Sequence, residues 1–149
     1  MKKTLIYISL ILVFIFIYLL QSLFFVNFTI AGVQPNIIVI LVLFIGLFMG
    51  RSRGIIYGVI YGILMDLWIG KNIGITSICL AIVGVIGGAF DKNFSKDSRI
   101  VILLIGAFCT LIYEVLLYIF QIIFFNVSVE IFPFLKIFVI EIIYNILII

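Results

Sequence analysis

Three acidic residues stand inside long apolar runs: Asp66, Glu114 and Glu141. On the insertion scale an Asp at the centre of a membrane-spanning helix costs about 2.5–3.5 kcal/mol. Each acid is therefore expected to face protein or water, not lipid. Three acids facing one region can share protons, bind a cation, or pair with Lys71 and Lys136. The alternative is that each is a near-interface polar residue hydrogen-bonded to a neighbouring helix. Asn145, four residues after Glu141, shares its face and adds hydrogen-bonding capacity there. The chain has no His, which removes Ser-His and Cys-His triads, zinc-peptidase motifs and His-based proton relays. Asp66 is the one Asp embedded in an apolar run, so the two-aspartate pattern of intramembrane proteases is missing. No Walker motif and no run of acidic metal ligands is present. Cys79 and Cys109 lie in apolar runs and read as small packing residues with free thiols. The expectation is a protein that is not an enzyme, with no cofactor or metal.

The second constellation is a spacing. Gly46, Gly50, Gly54, Gly58 and Gly62 recur every fourth residue, followed by Asp66, Gly70 and Gly74. If residues 54–69 form one helix, Gly54, Gly58, Gly62 and Asp66 make a slowly winding stripe, each step drifting about 40°. Such a stripe lets another helix approach closely. Two compatible readings follow. The stripe packs helix three against its own neighbours, or it is a docking face for a partner's transmembrane helix, with Asp66 fixing the register. Gly84 and Gly88 form a second close-packing pair.

The elements that must position these residues follow from composition. The chain is 67% hydrophobic and 10% charged, with mean hydropathy +1.55. That is too little polar surface to cover a globule in water, so the solvent is lipid. The predicted architecture is all-α, one integral membrane domain over residues 1–149, with spans near 4–26, 36–50, 54–69, 73–90, 100–125 and 134–149. The first apolar run is longer than a signal-peptide core and lacks a small-residue cleavage site, so it reads as a span. Residues 54–69 cover only ~24 Å of a ~30 Å hydrocarbon core. Trp68 near their end suits the interfacial aromatic belt. Arg51 and Arg53 bracket an expected tight turn, and Pro35 is placed to start the second helix.

Charge sets the orientation. With a cytoplasmic start, the inner side receives Lys2, Lys3, Arg51, Arg53, Lys92, Lys96 and Arg99, and the outer side Lys71 and Lys136. This positive-inside bias puts both termini in the cytoplasm. Counting helix rise from the nearest boundary, Asp66 and Glu114 sit at about 18 and 21 Å from the inner face, both in the outer half. Residues 91–99 form the one strongly polar stretch, either a solvated connection or a contact for anionic lipid or a cytoplasmic partner.

With these residues placed, the chain resembles the rod shape-determining MreD family. The resemblance rests on the order of features. A long first span is followed by Pro35-Asn36-Ile37-Ile38-Val39, and then by GIIYGVIYGILMD from Gly54 to Asp66. Gly70-Lys71-Asn72-Ile73-Gly74, a glycine-containing fourth span and the Tyr144-Asn145 pair complete it. Pro35, Gly58, Gly62, Asp66, Gly70 and Gly74 are the positions that sit on the family pattern. The resemblance implies a non-enzymatic inner-membrane scaffold of the cell-elongation machinery. It would bind an MreC-like bitopic protein and, through it, actin-like MreB and peptidoglycan synthases, with no nucleic acid involved. Gly54, Gly58, Gly62 and Asp66 are the expected partner-binding residues. The implied fold is like that of the substrate-binding subunits of energy-coupling factor transporters. The alternative function is a substrate-capture subunit of such a vitamin transporter, with an outer pocket formed by Trp68, Asp66, Glu114 and Tyr113. A small ion-coupled transporter using Asp66, Glu114 and Glu141 is a third reading.

Overall fold

The computed structural model describes residues 2–24, 27–69, 74–90, 99–125 and 130–149. Six α-helices account for almost all of them, and no strand occurs among the described residues. They are α1 (Lys2–Leu19, continued by the π-helical turn Leu20–Phe24), α2 (Ile37–Met49), α3 (Arg51–Ile69), α4 (Ile75–Ala89), α5 (Arg99–Phe125) and α6 (Ile131–Ile148). The expected polar stretch at 91–99 lies outside the described residues except for Arg99.

Turn chemistry sets the boundaries. The turn expected around Arg51 and Arg53 lies instead at Gly50, whose φ of 93° is open to glycine at little cost. Its N–H still donates to Gly46 O at 3.0 Å, and Gly54 N–H donates to Gly50 O at 3.0 Å. So α2 folds back into α3 through one residue, and the two arginines belong to the first turn of α3. Between α1 and α2, Ala31 and Gly32 both take positive φ (53° and 85°), and Ile30 and Val33 exchange two backbone hydrogen bonds across them. α6 begins ahead of Pro133, which sits in its first turn, where a missing N–H costs nothing.

The core is built on α2. Ile38, Val39, Ile40, Val42, Leu43, Ile45, Gly46 and Leu47 of this 13-residue helix are all buried. α3 and α4 close around it, and α5 packs on α4 with α6 against it. Leu80 and Val83 of α4, and Ile105, Cys109 and Tyr113 of α5, complete the apolar interior. α1 lies to one side. Its Phe14 stacks on Tyr61 of α3 with ring centroids 4.4 Å apart, and Tyr61 donates a hydrogen bond to Leu10 O at 2.9 Å.

Length sorts the helices by surroundings. Thr4–Leu23, Arg99–Phe125 and Ile131–Ile148 are long and apolar enough to cross a membrane. Ile37–Met49 and Ile75–Ala89 are apolar but shorter. A helix of this length spans only ~20–23 Å, and these two are lined by neighbours, which is how a short span avoids exposing its ends to hydrocarbon.

Candidate functional site

The glycine spacing places α3 directly on the backbone of α4. A Cβ added at Gly58 would come 2.6 Å from Leu80 O, and one at Gly54 would come 2.6 Å from Gly84 O. At Gly62 it would collide with Ser77 Cα. The contact is reciprocal. A Cβ at Gly84 would strike the Gly54 backbone, and one at Gly88 the Arg51 backbone. α2 enters the same junction, since a Cβ at Gly46 would lie 2.7 Å from Gly84 O and one at Gly87 2.7 Å from Leu43 O. Glycines from three helices thus meet at one point, and only hydrogen atoms fit between the chains there.

This assigns the stripe to internal packing. The expectation that Gly54, Gly58 and Gly62 present a docking face to another protein's helix meets a physical obstacle, because α4 already fills that side of α3. A partner helix lying on the stripe would have to displace it.

Asp66 has a local task. It is 4% exposed, and its Oδ2 accepts the Gly74 N–H at 2.7 Å. Gly74 holds φ 105° immediately before α4. The carboxylate therefore ties the end of the α3–α4 connection, next to the first, otherwise unsatisfied N–H groups of α4. The register that Asp66 fixes here is that of α4 against α3. Gly70 and Lys71 lie outside the described residues.

The other two acids sit together. Glu141 of α6 is 6% exposed, and the Glu114 carboxyl of α5 lies beside it. The Asn36 amide, just ahead of α2, lies next to Glu141 and next to the Tyr113 hydroxyl. One turn along α6, Asn145 is fully buried and joins three elements. Its Nδ2 donates to Thr110 Oγ1 at 3.0 Å, its Oδ1 accepts Asn36 N–H at 2.9 Å, and Thr110 Oγ1 donates to Gly106 O at 3.0 Å. Tyr144, its neighbour in sequence, donates to Phe28 O at 2.6 Å. Glu141 Oε1 and Asn36 Oδ1 are both buried without a hydrogen-bond partner.

Asp66 stands apart from this pair, across Cys79 of α4, which is near both Asp66 and Glu114. Lys136, one expected counter-charge, is exposed, and Lys71 lies outside the described residues. Trp68 does not join the others in an outer pocket. It is 69% exposed and packs on Tyr18 of α1, with ring centroids 5.1 Å apart. Cys79 and Cys109 are free and buried. Among the described residues no group of three His, Cys, Asp or Glu is placed to hold a metal ion.

Sequence reasoning passed over Asn36 and Thr110. Asn36 reads as the first residue of the second span, and Thr110 as a small residue in an apolar run. Their signal is polarity in otherwise apolar surroundings, which shows as a site only once Asn145 is seen to need partners.

The chain matches the family model of the rod shape-determining protein MreD over residues 1–149. Comparison with curated proteins and with solved structures finds no match. A match over the full length shows the family: the chain belongs to the MreD rod shape-determining proteins, a family of membrane proteins.

Proposed function

We propose that this MreD-family chain is a non-enzymatic scaffold of the bacterial cell-elongation machinery, resident in the inner membrane. It crosses the bilayer six times with both termini in the cytoplasm and binds a single-pass MreC-like protein. Through that partner it is coupled to actin-like MreB and to peptidoglycan synthases, and so supports wall growth and cell shape. The observation that carries this reading is the family match across residues 1–149. The seven-to-two division of Lys and Arg between the inner and outer sides of the expected spans supports the orientation.

The geometry suggests how such a scaffold holds its shape. Lipid tails are as apolar as the helices, so helix association has to come from close packing and buried hydrogen bonds. The glycine junction of α2, α3 and α4 supplies the first, and the Asn145 network supplies the second. In this reading Gly54, Gly58, Gly62 and Asp66 serve the partner indirectly. They lock α3 on α4, and the outward faces of the bundle are thereby held in fixed relation.

The test is a pull-down of the tagged full chain from its native membrane in mild detergent, with mass spectrometry of the bound proteins. A single-pass periplasmic protein accompanied by wall synthases is the expected result. A transmembrane coupling subunit with a pair of ATPases would overturn the scaffold in favour of vitamin capture.

A further inference from the structure

Where the start of α1, the end of α2 and the start of α3 come together, the bundle encloses a cavity of about 110 Å³ lined by Ile6, Tyr7, Met49, Arg53 and Tyr57. Tyr57 is 3% exposed, and its hydroxyl is buried with no hydrogen-bond partner. Its ring stacks on that of Tyr7 with centroids 6.4 Å apart. Arg53, four residues earlier, stands on the same face of α3, one turn nearer its start. Helical side chains lean toward the N-terminus, so the Tyr57 hydroxyl is carried toward Arg53 and the charged end of the bundle. Arg53 and the Tyr7 hydroxyl both act on it electrostatically. Arg53 itself is exposed, and the described acids stand at the other end of the bundle. Asp66 is thirteen residues or ~20 Å farther along α3, and Glu114 is fifteen residues or ~22 Å into α5. Glu141 sits beside Glu114, and Glu130 precedes α6, beyond the far end of α5.

The chemistry of these groups defines the occupant. A guanidinium only donates, and a phenol left unmatched inside the protein needs a partner. What suits both at once is a negatively charged acceptor. The cavity is far smaller than the ~300–1,000 Å³ of pockets that enclose drug-sized ligands, so it takes one compact group and leaves the remainder of the molecule outside. Phosphate is compact, and its oxygens match the guanidinium fork. The remaining walls, Ile6 and Met49, are apolar, and exposed Leu5, Ile8 and Leu12 continue an apolar surface along α1. We propose that this cavity seats the phosphate of an anionic membrane phospholipid, with Arg53 and the Tyr57 hydroxyl donating to its oxygens and the acyl chains lying along α1. In the orientation proposed above, that lipid belongs to the inner leaflet. Charge selects the lipid class. A phosphodiester brings one negative charge to Arg53, whereas a choline headgroup adds a cation beside it where no described acid can receive it. Basic pockets between spanning helices on the cytoplasmic side are where anionic headgroups bind. The bound lipid would bridge α1 to α3 at the end opposite Trp68, which packs on Tyr18.

The experiment uses the purified full chain, delipidated in detergent and titrated with phosphatidylglycerol, phosphatidylcholine or inorganic phosphate. Native mass spectrometry counts the bound molecules, and thermal unfolding is followed in parallel. The expected result is one phosphatidylglycerol per chain at saturation, with a Tm that rises over the same concentration range. Phosphatidylcholine binds about tenfold or more weakly. Tyr57→Phe, which keeps the stack on Tyr7 and removes only the hydroxyl, weakens phosphatidylglycerol binding about tenfold, as loss of a hydrogen bond to a charged group should. Its Tm without lipid stays at or above that of wild type, because the hydroxyl has no partner to lose. Arg53→Gln abolishes the preference for phosphatidylglycerol, whereas Arg51→Gln, outside the cavity, retains it. Equal binding of the two lipids to wild type would overturn the proposal. So would phosphatidylglycerol binding that is unchanged in both Tyr57→Phe and Arg53→Gln, which would place the lipid elsewhere on the bundle. A Tm raised by inorganic phosphate and not by phosphatidylglycerol would assign the cavity to a soluble phosphate and overturn the lipid reading.

Discussion

α2 and α6 are both strongly apolar helices, yet they bury opposite kinds of residue. The buried set of α2 is Ile, Val, Leu and one Gly, whereas that of α6 is Glu141 and Asn145. α2 sits at the centre, so most of its circumference is interior and its apolar residues pack on α3, α4 and α5. α6 lies at the edge, where most of its circumference is open to hydrocarbon. Apolar side chains gain nothing there by turning inward, because lipid serves them equally well. What α6 offers its neighbours is what lipid cannot match, a buried amide and a buried carboxyl. The two halves of the bundle are therefore joined by different forces. Close backbone approach at glycine joins α2, α3 and α4, and side-chain hydrogen bonds join α5 and α6 to the start of α2.

Substitutions can break this contrast at graded points. The largest effect is expected at the glycine junction. Gly84→Leu drives a side chain into the Gly54 backbone, which has no flexible end to yield. Overpacking of this kind costs about 3 kcal/mol or more, and the purified variant should unfold at a markedly lower temperature or fail to yield monodisperse protein. Asn145→Leu comes next. It keeps the volume but removes both polar contacts and orphans the Asn36 N–H. At about 0.6 kcal/mol per interhelical hydrogen bond, with up to ~1.7 for the best, the loss should be about 1–3 kcal/mol. Hydrogen exchange should rise in α6 while α3 and α4 stay protected. Tyr61→Phe is the mildest. It retains the stack on Phe14 and loses one hydrogen bond to Leu10 O, about 0.5–1.5 kcal/mol, read as faster exchange confined to α1.

Much of this was legible in the sequence, and for identifiable reasons. All-helical architecture followed from long apolar runs, and the six helices stand in the expected order. The four-residue glycine spacing announced a close helix contact, because only backbone can occupy a surface that has no side chains. Which helix would occupy it was not legible. A stripe records how near a neighbour comes, and Gly84 and Gly88 of α4 answer it only when the two helices are laid together. Asp66 showed the same limit. Its place on the stripe suggested an interhelical role, and its partner is the Gly74 N–H immediately before α4. The grouping of the three acids was legible only in part: they were expected to face one region, whereas Glu114 meets Glu141 and Asp66 turns to Gly74. Glu114 and Glu141 enter the bundle from opposite sides, so their meeting depends on how far α5 and α6 slide past each other, which no local pattern encodes.

The central claim is that the glycine stripe holds the bundle together from within. Thermal unfolding of purified Gly58→Leu, with every partner protein absent, tests it most directly. A leucine at this position would meet the Leu80 carbonyl, which lies 2.6 Å from where even a Cβ would stand. The account predicts a Tm well below wild type in the isolated chain. A variant that unfolds at the wild-type temperature on its own, and fails only in binding a partner, would contradict it and return the stripe to the role of a docking face.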